Sequence, residues 1–163
     1  MLALEAHTQA LPSPPDSLGR LLNGAGLYAL RVRSDLAAAL RLLQRALAID
    51  EQVYGPHHPE VAIRANNIGT ILQDQGDLAG ALTYANRALA IDEQVYGPHH
   101  PTVAIRANNI GTILRDQGDL AGALIYARRA LAILQQTLGP DHPNTRTVAQ
   151  NLAGIQAALV KPG

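Results

Sequence analysis

The residues of this 163-residue chain that could do chemistry recur at fixed distances from one another. Five histidines, His57, His58, His99, His100 and His142, fall in one recurring turn, written GPHHP twice and GPDHP once. Imidazoles ligate zinc, but a tetrahedral site needs several donors converging on one point. Adjacent histidines diverge and successive turns lie a whole period apart, so no metal site is expected. In the third turn Asp141 precedes His142, so only the histidine before proline is common to all three. A residue that packs on, or caps, the following helix accounts for it. Serine occurs only as Ser13, Ser17 and Ser34, and cysteine is absent. No nucleophile stands beside a histidine and a carboxylate in a pattern that repeats. Asp77 and Asp119 come one per period, where a helix cap already employs them. The chain is expected not to be an enzyme and to need no cofactor.

Bulk composition narrows the partners. Thirteen Lys+Arg balance 13 Asp+Glu, so neither a nucleic acid nor an anionic membrane is expected as a partner. No apolar run approaches the roughly 18 residues needed to span a bilayer, and MLALEAHTQA lacks the basic start and long apolar centre of a secretory signal. With no cysteine for disulfides, a cytoplasmic, soluble protein is expected. Apolar residues make up 47% of the chain, yet Phe and Trp are missing and there are five Tyr. The core must be built from Ala, Leu, Ile and Val, a composition that favours helix and lets helices approach closely.

The elements that must position these residues are set by the period. Ala46 to Arg87 returns at Ala88 to Arg129 with all but four of its residues unchanged. A fixed repeat of a few tens of residues marks a stack of units, each burying the apolar face of its neighbour. Met1 to Leu11 reads as a short helix and Leu11 to Ser17, with three prolines, as a turn, Ser17 serving as the N-cap of the next helix. Leu18 to Arg33 and Asp35 to about Val53 form the first helix pair. With no gap in the alignment, Leu27 stands where Gly69 and Gly111 stand later, and Gly24 and Gly26 weaken that helix by about 1 kcal/mol each. The next pair is Glu60 to Gln75, with the stripe Val61, Ala65, Ile68, Gly69, Ile71 and Leu72, and a helix capped by Asp77. The stripe of that second helix runs Leu78, Ala81, Leu82, Ala85, Ala88, Leu89 and Val95. Gly76, Gly97 and Pro98 end helices, and Pro101 opens one. Thr102 to Gln117 and Asp119 to Leu138 repeat the pair, and Asn144 to Leu159 closes the stack. The four differences, Glu60 to Thr102, Gln73 to Arg115, Thr83 to Ile125 and Asn86 to Arg128, all lie off the apolar stripes.

The helix pair, with Ile68, Gly69, Leu72, Gly76, Asp77, Ala81 and Ala88 set in NNIGTILQDQGDLAGA and followed by RALAIDEQVYGPHHP, resembles the tetratricopeptide repeat, specifically the 42-residue subtype of kinesin light chains. The resemblance covers Leu18 to Leu159. It implies an all-α, right-handed solenoid of helical hairpins. Residues 1–163 then form a single domain: a partial preceding helix and turn (1–17), a divergent repeat (18–58), repeats 59–100 and 101–142, and a capping helix and tail (143–163). Similar arrays are sensor arms of bacterial signal-transduction ATPases, and LGPDHPNTRTVAQNLAGIQAAL is similar to the way such arms finish. No phosphate-binding GxxxxGK occurs in this chain. Where the family places a large aromatic in the second helix, this sequence has Ala85 and Ala127, with Tyr84 and Tyr126 one residue earlier.

In the family the first helix of each pair lines a concave groove. Carried over by position, the groove shows Ile63, Asn66, Asn67, Thr70, Gln73 and Asp74, then Ile105, Asn108, Asn109, Thr112, Arg115 and Asp116, then Thr147, Gln150, Asn151 and Gly154. A ladder of Asn amides, each donor and acceptor, can bracket the backbone of an extended peptide. The same pairs can instead bond across the stack and hold it together. Ile63 and Ile105 stand where capture of a terminal carboxylate would want a base, and Asp74 and Asp116 add the wrong charge, so that use is disfavoured. Arg64, Arg106 and Arg115 are expected to be solvated or to bridge nearby carboxylates. The expected function is a protein-interaction module that binds a peptide or partner protein, with a larger signalling protein as its setting. Self-association through the terminal helices is the alternative.

Overall fold

A computed structural model describes residues 16–33 and 35–160 of the chain. The expected helix over Met1 to Leu11 lies outside the described residues. Seven helices succeed one another among the described residues: α1 (Asp16–Arg33), α2 (Leu36–Tyr54), α3 (Pro59–Asp74), α4 (Leu78–Tyr96), α5 (Pro101–Asp116), α6 (Leu120–Thr137) and α7 (Pro143–Val160). Each packs on its neighbours in the chain, making a right-handed solenoid of hairpins.

Local chemistry sets the helix ends. Asp35, Asp77 and Asp119 accept from the amides of Ala38, Gly80 and Gly122 at 2.9 Å, capping α2, α4 and α6. At the end of α3, Gly76 takes φ +82, and Asp77 N donates to Leu72 O at 2.9 Å, which satisfies carbonyls the helix leaves over. Ser17, expected as the N-cap, falls within the helical residues of α1.

The core is a continuous band of small and branched side chains. Val61, Ala65, Ile68, Ile71 and Leu72 of α3 are buried with Ala81, Ala85, Ala88, Leu89 and Ile91 of α4, and the same set recurs 42 residues on, except that Leu131 is half-buried. Val95 departs from its expected place in that stripe: it is 44% exposed, and Ile91 and Asp92 hold the buried positions near the end of α4. A Cβ on Gly69 would lie 3.2 Å from Ala81 O, and one on Gly111 3.3 Å from Ala123 O, so these glycines let the two helices of a hairpin touch backbones. Ala85, whose neighbour Tyr84 carries the aromatic ring, belongs to the same close approach: the Cβ that an alanine would place at residue 69 would lie 3.5 Å from Ala85 N.

The first hairpin keeps this contact with a shifted register. Gly26, and not Leu27, takes this place: a Cβ on Gly26 would lie 3.3 Å from Ala39 O, as one on Gly69 would lie 3.2 Å from Ala81 O. Helix α1 therefore aligns with α3 at an offset of 43 and not 42, and the turn before Asp35 is one residue shorter than the turn before Asp77. The gap-free alignment misplaces every residue of α1 by one.

The interfaces between hairpins are fixed by polar groups. Buried Arg106 donates from Nε to Asp92 Oδ2 at 2.8 Å. One repeat earlier Arg64 Nε lies 2.8 Å from buried Asp50 Oδ2, close but off the N–H axis, while its Nη2 reaches Glu60 at 3.0 Å. Thus Arg64 and Arg106 are buried bridges, not solvated cations. At the third interface the equivalent residues are Leu134 and Val148, both buried, so the fold accepts either an ion pair or an apolar pair there. On the second helices, Arg87 pairs with Glu51 and Arg129 with Glu93, tying α4 to α2 and α6 to α4.

This packing has measurable consequences. Replacing Arg106 alone with Met leaves Asp92 charged and buried, which costs about 3–5 kcal/mol, whereas the double substitution Asp92→Leu with Arg106→Val recovers most of it; urea denaturation of the three proteins measures both. Gly69→Ala forces a methyl against the α4 backbone and lowers stability by about 1–2 kcal/mol, the overpacking cost less the gain in helix propensity. Gly154→Ala, with nothing within 4 Å of its Cβ, raises it by about 0.5–1 kcal/mol.

Candidate functional site

The first helices of successive hairpins share a wall, and amide side chains join them across it. Asn109 Nδ2 on α5 donates to Asn66 Oδ1 on α3 at 2.8 Å, and Asn151 Nδ2 on α7 donates to Asn108 Oδ1 on α5 at 3.0 Å. Asn67 Nδ2 on α3 donates to Asn23 Oδ1 on α1 at 3.3 Å. Gly24 stands where the gap-free alignment looks for an amide, and Asn23 supplies it once the one-residue offset is applied. Sequence reasoning misses Asn23 for that reason.

Each rung consumes one donor and one acceptor and leaves a complement of each. Asn66 and Asn108 accept through oxygen, so their Nδ2 groups stay available; Asn109 and Asn151 donate, so their oxygens stay available. All four are half-buried. Gln150 on α7 occupies the position of Asn66 and Asn108 and is exposed, with no first helix after it among the described residues.

Other members of the expected set lie along the same faces. Residues spaced three and four apart share one side of a helix, so Ile63, Asn66, Asn67, Thr70, Gln73 and Asp74 form one stripe on α3. Ile63 and Ile105 are 38% and 36% exposed. Thr70 Oγ1 donates to Asn66 O at 3.2 Å and Thr112 Oγ1 to Asn109 O at 2.8 Å, so the hydroxyl hydrogens are spent on their own helices. Gln73 Nε2 donates to Asp116 Oδ2 at 2.6 Å, a second tie between α3 and α5. Arg115 binds Asp116 at 2.8 Å, which neutralises that carboxylate, whereas Asp74 stands exposed. The wall thus runs from isoleucines at the helix starts, through amides, to charges at the helix ends.

The histidines hold the turns. His58 Nδ1 accepts from Glu60 N, His100 Nδ1 from Thr102 N and His142 Nδ1 from Asn144 N, each at 3.2 Å. His58 also stacks on Tyr54 and His100 on Tyr96, ring centroids 4.4 and 4.7 Å apart. His57 and His99 are exposed at the mouths of apolar notches of about 470 and 230 Å³ between successive turns and second helices. Among the described residues no group of three or more His, Asp or Glu is placed to hold a metal ion, and no helix is long and apolar enough to cross a membrane.

Stacked hairpins with one polar wall define a helical repeat scaffold whose surface is made by addition of like units. Models of the tetratricopeptide repeat match residues 17–94, 62–136 and 105–159, and the chain belongs to that family. No curated protein matches it in sequence. Among solved structures it is similar to BtubC (BKLC) from P. vanneervenii, with TM-score 0.83 and 23% identity over 93% of this chain and 61% of that one. It is also similar to a putative kinesin light chain with nearly identical repeats from Podosopora anserina, with TM-score 0.77 and 18% identity over 96% and 74%. A third is the first repeat domain of Spaghetti (RPAP3) bound to an HSP90 peptide, with TM-score 0.67 and 15% identity over 93% and 100%. The chain spans about 61% of the length of BtubC. At these identities the likeness is one of fold.

The cap assignment gives a direct expectation. His100→Ala removes both the acceptor for Thr102 N and the ring on Tyr96, and costs about 1 kcal/mol or somewhat more; His100→Asn restores a side-chain acceptor and recovers about half, as read from thermal melts.

Proposed function

We propose that this chain is a protein-interaction module whose first-helix wall binds a peptide or a peptide-like segment of a partner protein. The observation that carries the reading is the amide ladder: Asn66, Asn67, Asn108, Asn109 and Asn151 form rungs that leave donors and acceptors unspent in a row across three helices. An unspent amide pair matches the N–H and C=O that every peptide residue carries, whatever its side chain. Ile63 and Ile105 add apolar contact beside the ladder, and Thr70, Gln73, Thr112, Arg115 and Gln150 complete the surface. The ladder holds the stack and presents its remaining groups at the same time, so the two uses of asparagine are compatible. A protein with the same fold is bound to an HSP90 peptide, which supports the reading by analogy. The sensor-arm role implied by the family resemblance belongs to the same proposal and rests on the same wall.

The experiment separates presentation from support. Asn66→Asp with Asn108→Asp keeps the oxygens that accept their two rungs and removes the free donors of those rungs. The expected result is a melting temperature within a few degrees of the parent and loss of the peptides that the parent retains from a displayed random library. Equal retention by the folded variant contradicts the proposal.

A further inference from the structure

One large apolar side chain stands exposed at a place that every later first helix buries. With the offset of 43 that aligns α1 with α3, Leu21 holds the place of Arg64, and it is 64% exposed. Arg64, Arg106 and Val148, which occupy that place on α3, α5 and α7, are all buried. In each case the counterpart lies 14 residues earlier, near the end of the preceding second helix: Asp50 for Arg64, Asp92 for Arg106 and Leu134 for Val148. Carboxylate goes with guanidinium, and apolar with apolar. Leucine at position 21 calls for the uncharged form of this contact, and among the described residues no helix precedes α1 to make it.

The sequence ahead of α1 carries the missing pattern. Helix α1 starts at Asp16 and α3 at Pro59, so the same offset lays Pro12 to Pro15 on the connection Gly55 to His58, residue for residue. It lays Ala3, Leu4 and Ala6 on Ala46, Leu47 and Ile49, which are buried in α2, and Glu5 on Ala48, which is exposed. An offset of 42 would put Glu5 on buried Leu47 and break the stripe. Within α2 these positions face different ways. Leu47 belongs to the core that runs on into α3, whereas Ala46 and Ile49 pack with Leu18 and Leu22 of their own hairpin. Leucine is kept at the first kind of position, as Leu4, and alanines stand at the second kind, as Ala3 and Ala6. His7 falls on Asp50, 14 residues before Leu21, and brings no carboxylate to that place.

We propose that residues 1–11 of the same chain dock on the outer face of α1 as the last three or so turns of a second helix, with Leu4 in the role of Leu47 and the His7 ring over Leu21. The four residues from Pro12 to Pro15 match in number the connection that joins α2 to α3, so the chain delivers this segment to its own α1 and needs no second copy. The docked segment closes the N-terminal end of the stack and removes from water the apolar side chain through which another molecule could join it.

The chain contains no cysteine, so a single introduced thiol reports on its own place. Leu21→Cys and, as a control, Ile125→Cys, at a site on α6 that is 68% exposed, are treated with a thiol reagent in the otherwise unchanged full chain. The thiol at position 21 is expected to react about tenfold more slowly than the one at 125, and adding Leu4→Asp, which removes the apolar contact, brings the two rates together. Equal rates without Leu4→Asp, or a slow rate that Leu4→Asp leaves unchanged, overturn the inference. Protection that fades on dilution overturns it too, because it assigns the cover to a second copy. Thermal melts give an independent reading. Leu21→Arg lowers Tm by a few degrees, and His7→Asp added to it rebuilds the acid–base pair of the next two interfaces and restores about half of the loss or more. A Leu21→Arg protein that melts with the parent, or a loss that His7→Asp does not reduce, contradicts the placement.

Discussion

Everything in this molecule depends on hairpins that cannot cover their own apolar faces. Residues such as Val61 and Ile68 are fully buried in a core that runs on from one hairpin into the next. Burial of this kind is worth about 25 cal/mol per Å² of apolar surface removed from water, and no single hairpin offers a second face against which to gain it. Stability is then a sum over neighbours, and the geometry of one interface is copied into the next. With no Phe or Trp in the chain, that interface is thin, and backbones must approach where Gly69 meets Ala81 and Gly111 meets Ala123.

Apolar contact alone does not set register, because rows of Ala, Leu and Ile tolerate sliding. Directional groups set it here, and the first two interfaces each carry more than one. Asp92 and Arg106 join a second helix to the next first helix; Glu51 and Arg87 join second helices; the asparagine rungs join first helices. The half-buried Glu–Arg ties are worth a few tenths of a kcal/mol each, and the buried pair is no more stabilising than a well-packed apolar pair. The third interface, with Leu134 and Val148 in place of the ion pair, indicates that the rungs and the packing suffice once the earlier repeats have fixed the direction of the stack. The wall is a by-product of this locking: groups that hold the first helices together have hydrogen-bonding capacity left over.

Much of this is legible in the sequence. The period, the helix pairs, the aspartate caps and the capping histidine before proline all come from local chemistry, and each appears where the residues place it. The misreadings have physical causes. In α1 a turn one residue shorter moves Gly26 and Asn23 into the roles of Gly69 and Asn66; a shortened turn leaves no mark in hydrophobic periodicity, though the positions of Gly and Asn taken together expose it. Periodicity assigns Val95 to the core, but near the end of α4 Ile91 and Asp92 take the buried positions and Val95 is exposed. For Arg64 and Arg106 the sequence leaves solvent and a nearby carboxylate as alternatives and does not name the partner, because Asp50 and Asp92 lie 14 residues away on another helix. Pairing across an interface is a property of the stack, and a single helix pattern does not carry it.

The central claim is that asparagine side chains are divided between holding the stack and facing a ligand. Side-chain amide hydrogen exchange, followed by NMR on the folded protein, tests that division most directly. The account predicts slowed exchange at Asn109 and Asn151, whose Nδ2 groups donate across the interface, and faster exchange at Asn66 and Asn108, whose Nδ2 groups stay unspent. Equal exchange at all four would contradict it.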